Sequence, residues 1–250
     1  MAEVDVPPDA QQVRPSKSFA ARLVGVFVEP GETFDDIARN PDFIAPLVLL
    51  IAASVAVVEV MLAKIGMVRI AMHTLAQSGR AANMDPEQLN QAIQKGAAIG
   101  SIAARAAALV GVPLILLIIA GFGLLILNGF FGKHSSFKQV FSASCYAYFP
   151  HILGAVMAIA VMLFGDPEAF NPQAPSPSNL GFFLNPLTTS HAAFALASSL
   201  DIFTVWFLIL LAMGLSRAVW GKVKTRHIFM IYLGAWVLLI VIKVGFALMA

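Results

Sequence analysis

Three ionisable residues, Glu59, Asp201 and Lys243, stand inside stretches otherwise built from Leu, Ile, Val, Ala and Phe. A charge in such surroundings is costly, so it is read by default as a paired group or as a step on an ion or proton path. At 1.5 Å of rise per residue, Asp201 falls roughly 13 Å beyond Ala192 and Lys243 roughly 10 Å before Ala250. Antiparallel neighbours would bring them to similar depth. The spacing predicts an Asp201–Lys243 ion pair, with Glu59 and Arg105 nearby as second partners. Such a cluster has two uses: it can fix which helices pack together, or it can pass ions or protons along a polar path. Removing one side of a buried pair typically costs about 3–5 kcal/mol, reason enough to keep it for structure alone. Single charges reaching to the interface are the third alternative.

Other chemistry is thinly represented. Ser198, Ser199 and Asp201 follow His191, but the histidine falls at a loop border and the serines suit helix packing. The chain has no GxSxG, HExxH, GxxxxGK[ST] or Rossmann glycine pattern. His151, just past Pro150, has no second histidine or carboxylate at metal-ligand spacing. It reads as a packing or interfacial residue, and Asn128 as a helix-to-helix hydrogen bond. Cys145 is the single cysteine, so no internal disulfide and no thiolate metal cluster is expected. No catalytic residue, cofactor or metal is expected.

The elements that carry these charges must sit in lipid. The 250 residues are 59% apolar and 12% charged, about half the charge of an ordinary soluble chain. Too little polar material remains to clothe a soluble surface. A net charge of +2 without a basic run excludes a nucleic-acid partner. The fold class is therefore all-α: a polytopic membrane helical bundle with five transmembrane helices, at about 43–63, 107–131, 141–164, 192–220 and 228–250. Residues 1–42 read as a cytoplasmic tail. Its start has acids and prolines where a signal peptide would be basic, and cleavage is not expected. Amphipathic helices follow from Ser16 to Val28 and from Gly31 to Asn40, either lying on the membrane surface or capping the bundle.

Residues 64–106 carry Lys64, Arg69, Arg80, Lys95 and Arg105, and predict an extramembrane helical hairpin with a helix start at Asp85-Pro86. Pro113 predicts a kink in the second span. Residues 165–191 hold five prolines and no Lys or Arg, and predict an irregular loop with Phe182 and Phe183 dipping towards lipid. Basic loops stay cytoplasmic. With the N-terminus inside, ten Lys and Arg fall inside (Arg14, Lys17, Arg22, Arg39, Lys133, Lys138, Arg217, Lys222, Lys224, Arg226) against five outside, all in the 64–106 segment. The C-terminus is then outside.

Three segments carry a family resemblance: VFVEPGETFDDIARNPDFIAPLVLL from Val26, GKHSSFKQVFSASCYAYFPHIL from Gly132 and LDIFTVWFLILLAMGLSRA from Leu200. In this order they resemble the Yip family of Ypt/Rab-GTPase-interacting membrane proteins, particularly its shorter bacterial members. The resemblance implies a five-span membrane domain over 43–250, a cytoplasmic N-terminus and, for the short members, the bacterial cytoplasmic membrane. Eukaryotic relatives are adaptors of vesicle traffic that bind small GTPases and each other; this chain has a shorter N-terminal tail. Pro30, Phe34, Tyr146, Tyr148, Pro150, Asp201, Trp206 and Gly214 are the signature positions it implies, as structural residues. The expectation is a non-enzymatic protein in the lipid bilayer that binds membrane or cytoplasmic protein partners, self-associates or shapes the membrane. The alternative is a small ion- or proton-coupled transporter or channel using Asp201, Lys243 and Glu59.

Overall fold

The computed structural model describes residues 16–77 and 84–249. The acidic, proline-containing start and the tip of the 64–106 segment, with Arg80, lie outside the described residues. Among the described residues the regular secondary structure is helical, with one isolated bridge between Asn179 and Asp201, and residues 165–190 are mostly turns and irregular loop.

Local chemistry sets most boundaries. Helix α1 (Phe19–Val28) starts at Ser18, whose hydroxyl accepts from Ala21 N–H. It gives way at Glu29 to α2 (Pro30–Arg39), where Pro30 takes the first helical position and loses no bonded N–H. Asn40-Pro41 ends α2, and α3 (Ile44–Lys64) carries Pro46 in its first turn. Gly66, at φ +81°, turns the chain into α4 (Met67–Gln77). Asp85 caps α5 (Pro86–Leu124), which widens into a π-helical turn over Leu125–Phe130. Ser136 and Gln139 close a reciprocal capping box on α6 (Phe137–Ala147), and Pro150 opens α7 (Pro150–Phe164). Then come a 3₁₀ turn (Leu180–Phe183), α8 (His191–Ala197), α9 (Ile202–Ala218) and α10 (Thr225–Met249).

Four helical stretches are long and apolar enough to cross a membrane: α3, α5 with its π turn, α6–α7 and α10. Three expectations change in detail. The second arm of the 64–106 hairpin and the second span are one helix of 39 residues, ~58 Å long at 1.5 Å per residue. A hydrocarbon core of about 30 Å covers roughly half of it. The third span begins earlier, at Phe137, and turns at Tyr148–Phe149. The expected span 192–220 is two helices broken at Ser198–Asp201, and α9 alone has 17 residues, ~26 Å.

The core lies where α1, α2, α6 and α9 meet, joined by parts of α3, α5, α7 and α10. Val26 and Ile37 are fully buried and Phe34 nearly so; each such side chain contributes about 1.5–3 kcal/mol over leaving it in water. The amphipathic helices thus press their inner faces into the bundle. The outward face of α1 is itself apolar, with Val24 61% and Val28 71% exposed.

Candidate functional site

The charges of the sequence pattern separate into two groups. Glu59 on α3 and Arg105 on α5 form a two-pronged ion pair, Arg105 Nε to Oε1 at 2.7 Å and a terminal nitrogen to Oε2 at 3.1 Å. Both side chains are about half exposed, 48% and 52%, and the pair is an external clasp between two helices.

Asp201 and Lys243 do not pair. Asp201 is the N-cap of α9: one carboxylate oxygen accepts from Phe203 N–H at 2.8 Å and Thr204 N–H at 3.4 Å, the other from Ser178 Oγ–H at 2.8 Å. Lys243 instead donates to Ser198 Oγ and Ser199 Oγ, each at 3.0 Å. The physical reason is the helix break. A carboxylate at a helix start satisfies orphan backbone N–H groups, and this holds Asp201 facing along its own chain. Ser198 and Ser199, in the break, take the ammonium. The loop before α8 seals the same place, since Leu180 N–H donates to Leu200 O and Ile202 N–H to Ser178 O. Phe182 and Phe183 follow in the 3₁₀ turn, stacked edge to face. Among the described residues, then, the expected four-membered cluster is a clasp and a capped break.

Asn128 also works locally. Its amide exchanges hydrogen bonds with Ser135 backbone and hydroxyl at 2.8–3.0 Å, closing the turn into α6 rather than joining helices. His151 stacks on Tyr148 with centroids 4.1 Å apart and meets Phe207 edge-on, as a packing residue does. Among the described residues no group of three His, Cys, Asp or Glu could hold a metal ion.

A different junction gathers several of the resemblance positions, while Asp201 stands apart at the start of α9. Phe34 of α2 lies against Gly214 of α9, where a Cβ would meet its ring at 2.9 Å. Trp206 of α9 takes the edge of Phe27 at 5.4 Å between centroids. Tyr146 of α6 is fully buried beneath Arg22, whose guanidinium stands 5.9 Å from the ring centre, and its hydroxyl reaches Asp42 at 3.5 Å. Tyr148 and Pro150 form the α6–α7 turn, and Pro30 the α1–α2 turn. Phe34, Gly214, Trp206 and Tyr146 seat the N-terminal hairpin on α6 and α9.

Two ion pairs absent from the sequence reading complete the seat. Arg22 Nε meets Asp36 Oδ2 at 2.8 Å with both side chains almost wholly buried, 3% and 5% exposed. Arg217 donates to both oxygens of Asp35 at 3.2 Å. Adjacent aspartates on α2 thus point to different partners, one within the hairpin and one on α9. A signal existed: Asp36 stands among Thr33, Phe34, Ile37 and Ala38, all buried, and a carboxylate inside an apolar face requires a partner.

Long apolar helices packed round a main core, with Gly214 allowing close approach and the charges described above held by hydrogen bonds or ion pairs, define an integral, multi-pass helical membrane protein. The family model of the Yip1 domain matches residues 24–246, and the chain belongs to that family. The match takes in α2 to α9 whole, half of α1 and most of α10. No curated protein and no solved structure matches it.

Proposed function

We propose that this protein is a non-enzymatic membrane organiser that presents its seated α1–α2 hairpin, on the cytoplasmic side, to a protein partner or a second copy of itself. In this reading the chain crosses five times, with α8 and α9 together making the fourth pass, and the C-terminus is outside. The membrane in this reading is the bacterial cytoplasmic membrane. One observation carries the proposal: α2 is locked to α9 by Phe34–Gly214 and Asp35–Arg217, while Glu29, Glu32 and Arg39 stay exposed along its outer edge. A charged edge held rigid loses little conformational freedom when a partner binds.

A photo-crosslinking residue at Glu32, in intact membranes, should yield a discrete protein adduct. The adduct should vanish when Gly214→Leu unseats the hairpin and be missing when the probe stands at Asp166. Equal adducts from both positions, or none from Glu32, would overturn the reading.

The transporter alternative draws on the broken fourth pass, because interrupted helices commonly line binding sites in transporters, and here Ser198, Ser199, Asp201 and Lys243 gather at the break. Ion and proton flux into liposomes decides it. A flux abolished by both Asp201→Asn and Lys243→Met would establish transport; folded protein without flux supports the organiser.

A further inference from the structure

At the far end of the bundle from the α1–α2 hairpin, α3 and α7 finish side by side. Met61 and Ile65 pack against Ala158 and Met162, and Phe170 closes this smaller cluster. The elements that follow, α4 and the loop 165–190, face each other across a recess of about 480 Å³, within the range of about 300–1,000 Å³ usual for small-ligand sites. Its lining is mainly apolar, with Phe170, Phe182, Phe183 and Leu187 from the loop. Four polar side chains interrupt it: His73 from α4, and Glu168, Asn171 and Asn185. Asn185 is used locally, accepting from Leu187 N–H at 2.9 Å. Asn171 Oδ1 accepts from Gln173 N–H at 2.9 Å, but its Nδ2 is closed to water and meets no acceptor among the described residues. A buried donor left without an acceptor is costly, and an oxygen brought in by a ligand would remove that cost.

At His73, Glu168 and Leu187 this recess runs into a second, wider one that Arg69 of α4 borders. Glu168 therefore stands at the seam of the two, with Arg69 on the α4 side of the same opening. Neither side chain forms an ion pair, with the other or with any described residue. Opposite charges that share an opening without meeting suit a ligand that carries both charges, and the three phenylalanines beside them suit a ring. From this arrangement we infer that the site binds a free amino acid with an aromatic side chain. Its carboxylate lies between the Arg69 guanidinium and the Asn171 amide, its ammonium on Glu168, and its ring among Phe170, Phe182 and Phe183. Charge-assisted hydrogen bonds of this kind are about twice as strong as neutral ones. A phosphatidylethanolamine headgroup carries the same two charges, but the apolar part of the recess is sized for one side chain and not for two acyl chains. The site stands whether or not the α1–α2 hairpin docks a protein.

The test is equilibrium binding of tritiated L-phenylalanine to the full chain purified in dodecyl maltoside. Binding should be saturable. Glycine, 2-phenylethylamine and 3-phenylpropionate, which lack in turn the ring, the carboxylate and the ammonium, should each compete at least tenfold more weakly than unlabelled L-phenylalanine. Arg69→Gln and Glu168→Gln should each weaken binding about tenfold, while Glu87→Gln and Lys95→Gln, exposed on α5, should leave it unchanged. Arg69 and Glu168 hold no ion-pair partner among the described residues, so matching melting temperatures are expected across the set. No saturable binding would overturn the site, as would equal loss in the α5 variants or full binding in Arg69→Gln and Glu168→Gln. Displacement of L-phenylalanine by an equal concentration of solubilised phosphatidylethanolamine would give the site to a lipid headgroup and overturn the free amino acid.

Discussion

Asp201 holds three hydrogen bonds at the start of α9, and its replacements separate structure from transport. Asn caps a helix about as well as Asp, whereas Ala costs about 0.5–2 kcal/mol. Asp201→Asn should therefore leave the melting temperature in detergent nearly unchanged while Asp201→Ala lowers it; a proton carrier would lose its flux in both. Arg22–Asp36 is the opposite kind of pair. Asp36→Asn leaves a buried guanidinium unmatched and should cost about 3–5 kcal/mol, seen as a much larger fall in melting temperature than exposed Asp166→Asn gives. Replacing both partners by Met and Leu should restore much of that loss. The apolar face around Asp36 signals that it needs a partner, but not which one, because Arg22 stands 14 residues away and meets it only once the hairpin closes. The capping role of Asp201 was legible from its residue type, but the apolar run around it favoured an unbroken span.

Close approach decides how the elements hold together. A methyl at Gly214 would meet the Phe34 ring at 2.9 Å and Ala143 Cβ at 3.1 Å, and overpacking of this kind costs about 1–3 kcal/mol. Gly214→Ala should raise proteolytic cleavage between α2 and α3, and adding Phe34→Leu should relieve part of the effect. Between α3 and α5, exchanging the clasp as Glu59→Arg with Arg105→Glu should regain the melting temperature that either single change loses. Failure of the exchange would mean that the two side chains act separately. The helix start at Asp85-Pro86 could be read from sequence because its chemistry is local, and that of α2 is read one residue late, at Gly31 instead of Pro30. The continuity of α5 could not. Its polar first half and apolar second half suggested two elements, yet a change of solvent does not interrupt backbone hydrogen bonding, and no residue between Lys95 and Ala107 prevents it.

Across the whole molecule, the apolar composition settled the class, and four of the five expected spans are helices long and apolar enough to cross a membrane, while the packing of α1 and α2 into the bundle needed tertiary contacts that periodicity does not contain. The length of α5 gives a direct check on how the molecule sits in the bilayer. A cysteine placed at exposed Gln91 should react with a membrane-impermeant maleimide in sealed vesicles of one orientation, and one at Ile118 should be protected by lipid. Native Cys145 is fully buried and should give little background. Labelling of Ile118 would mean that a different part of α5 lies in the hydrocarbon.

That helix also has a mechanical consequence. Arg105 stands 19 positions after Pro86, so the arm between them is ~28 Å long. A rigid rod pivoting where Glu59 grips Arg105 magnifies small movements: a tilt of about 10°, well within the range transmembrane helices adopt, would sweep its tip through ~5 Å. Changes in bilayer thickness at one end of α5 would thus be written as displacement at the other, with the Glu59–Arg105 clasp as the fulcrum.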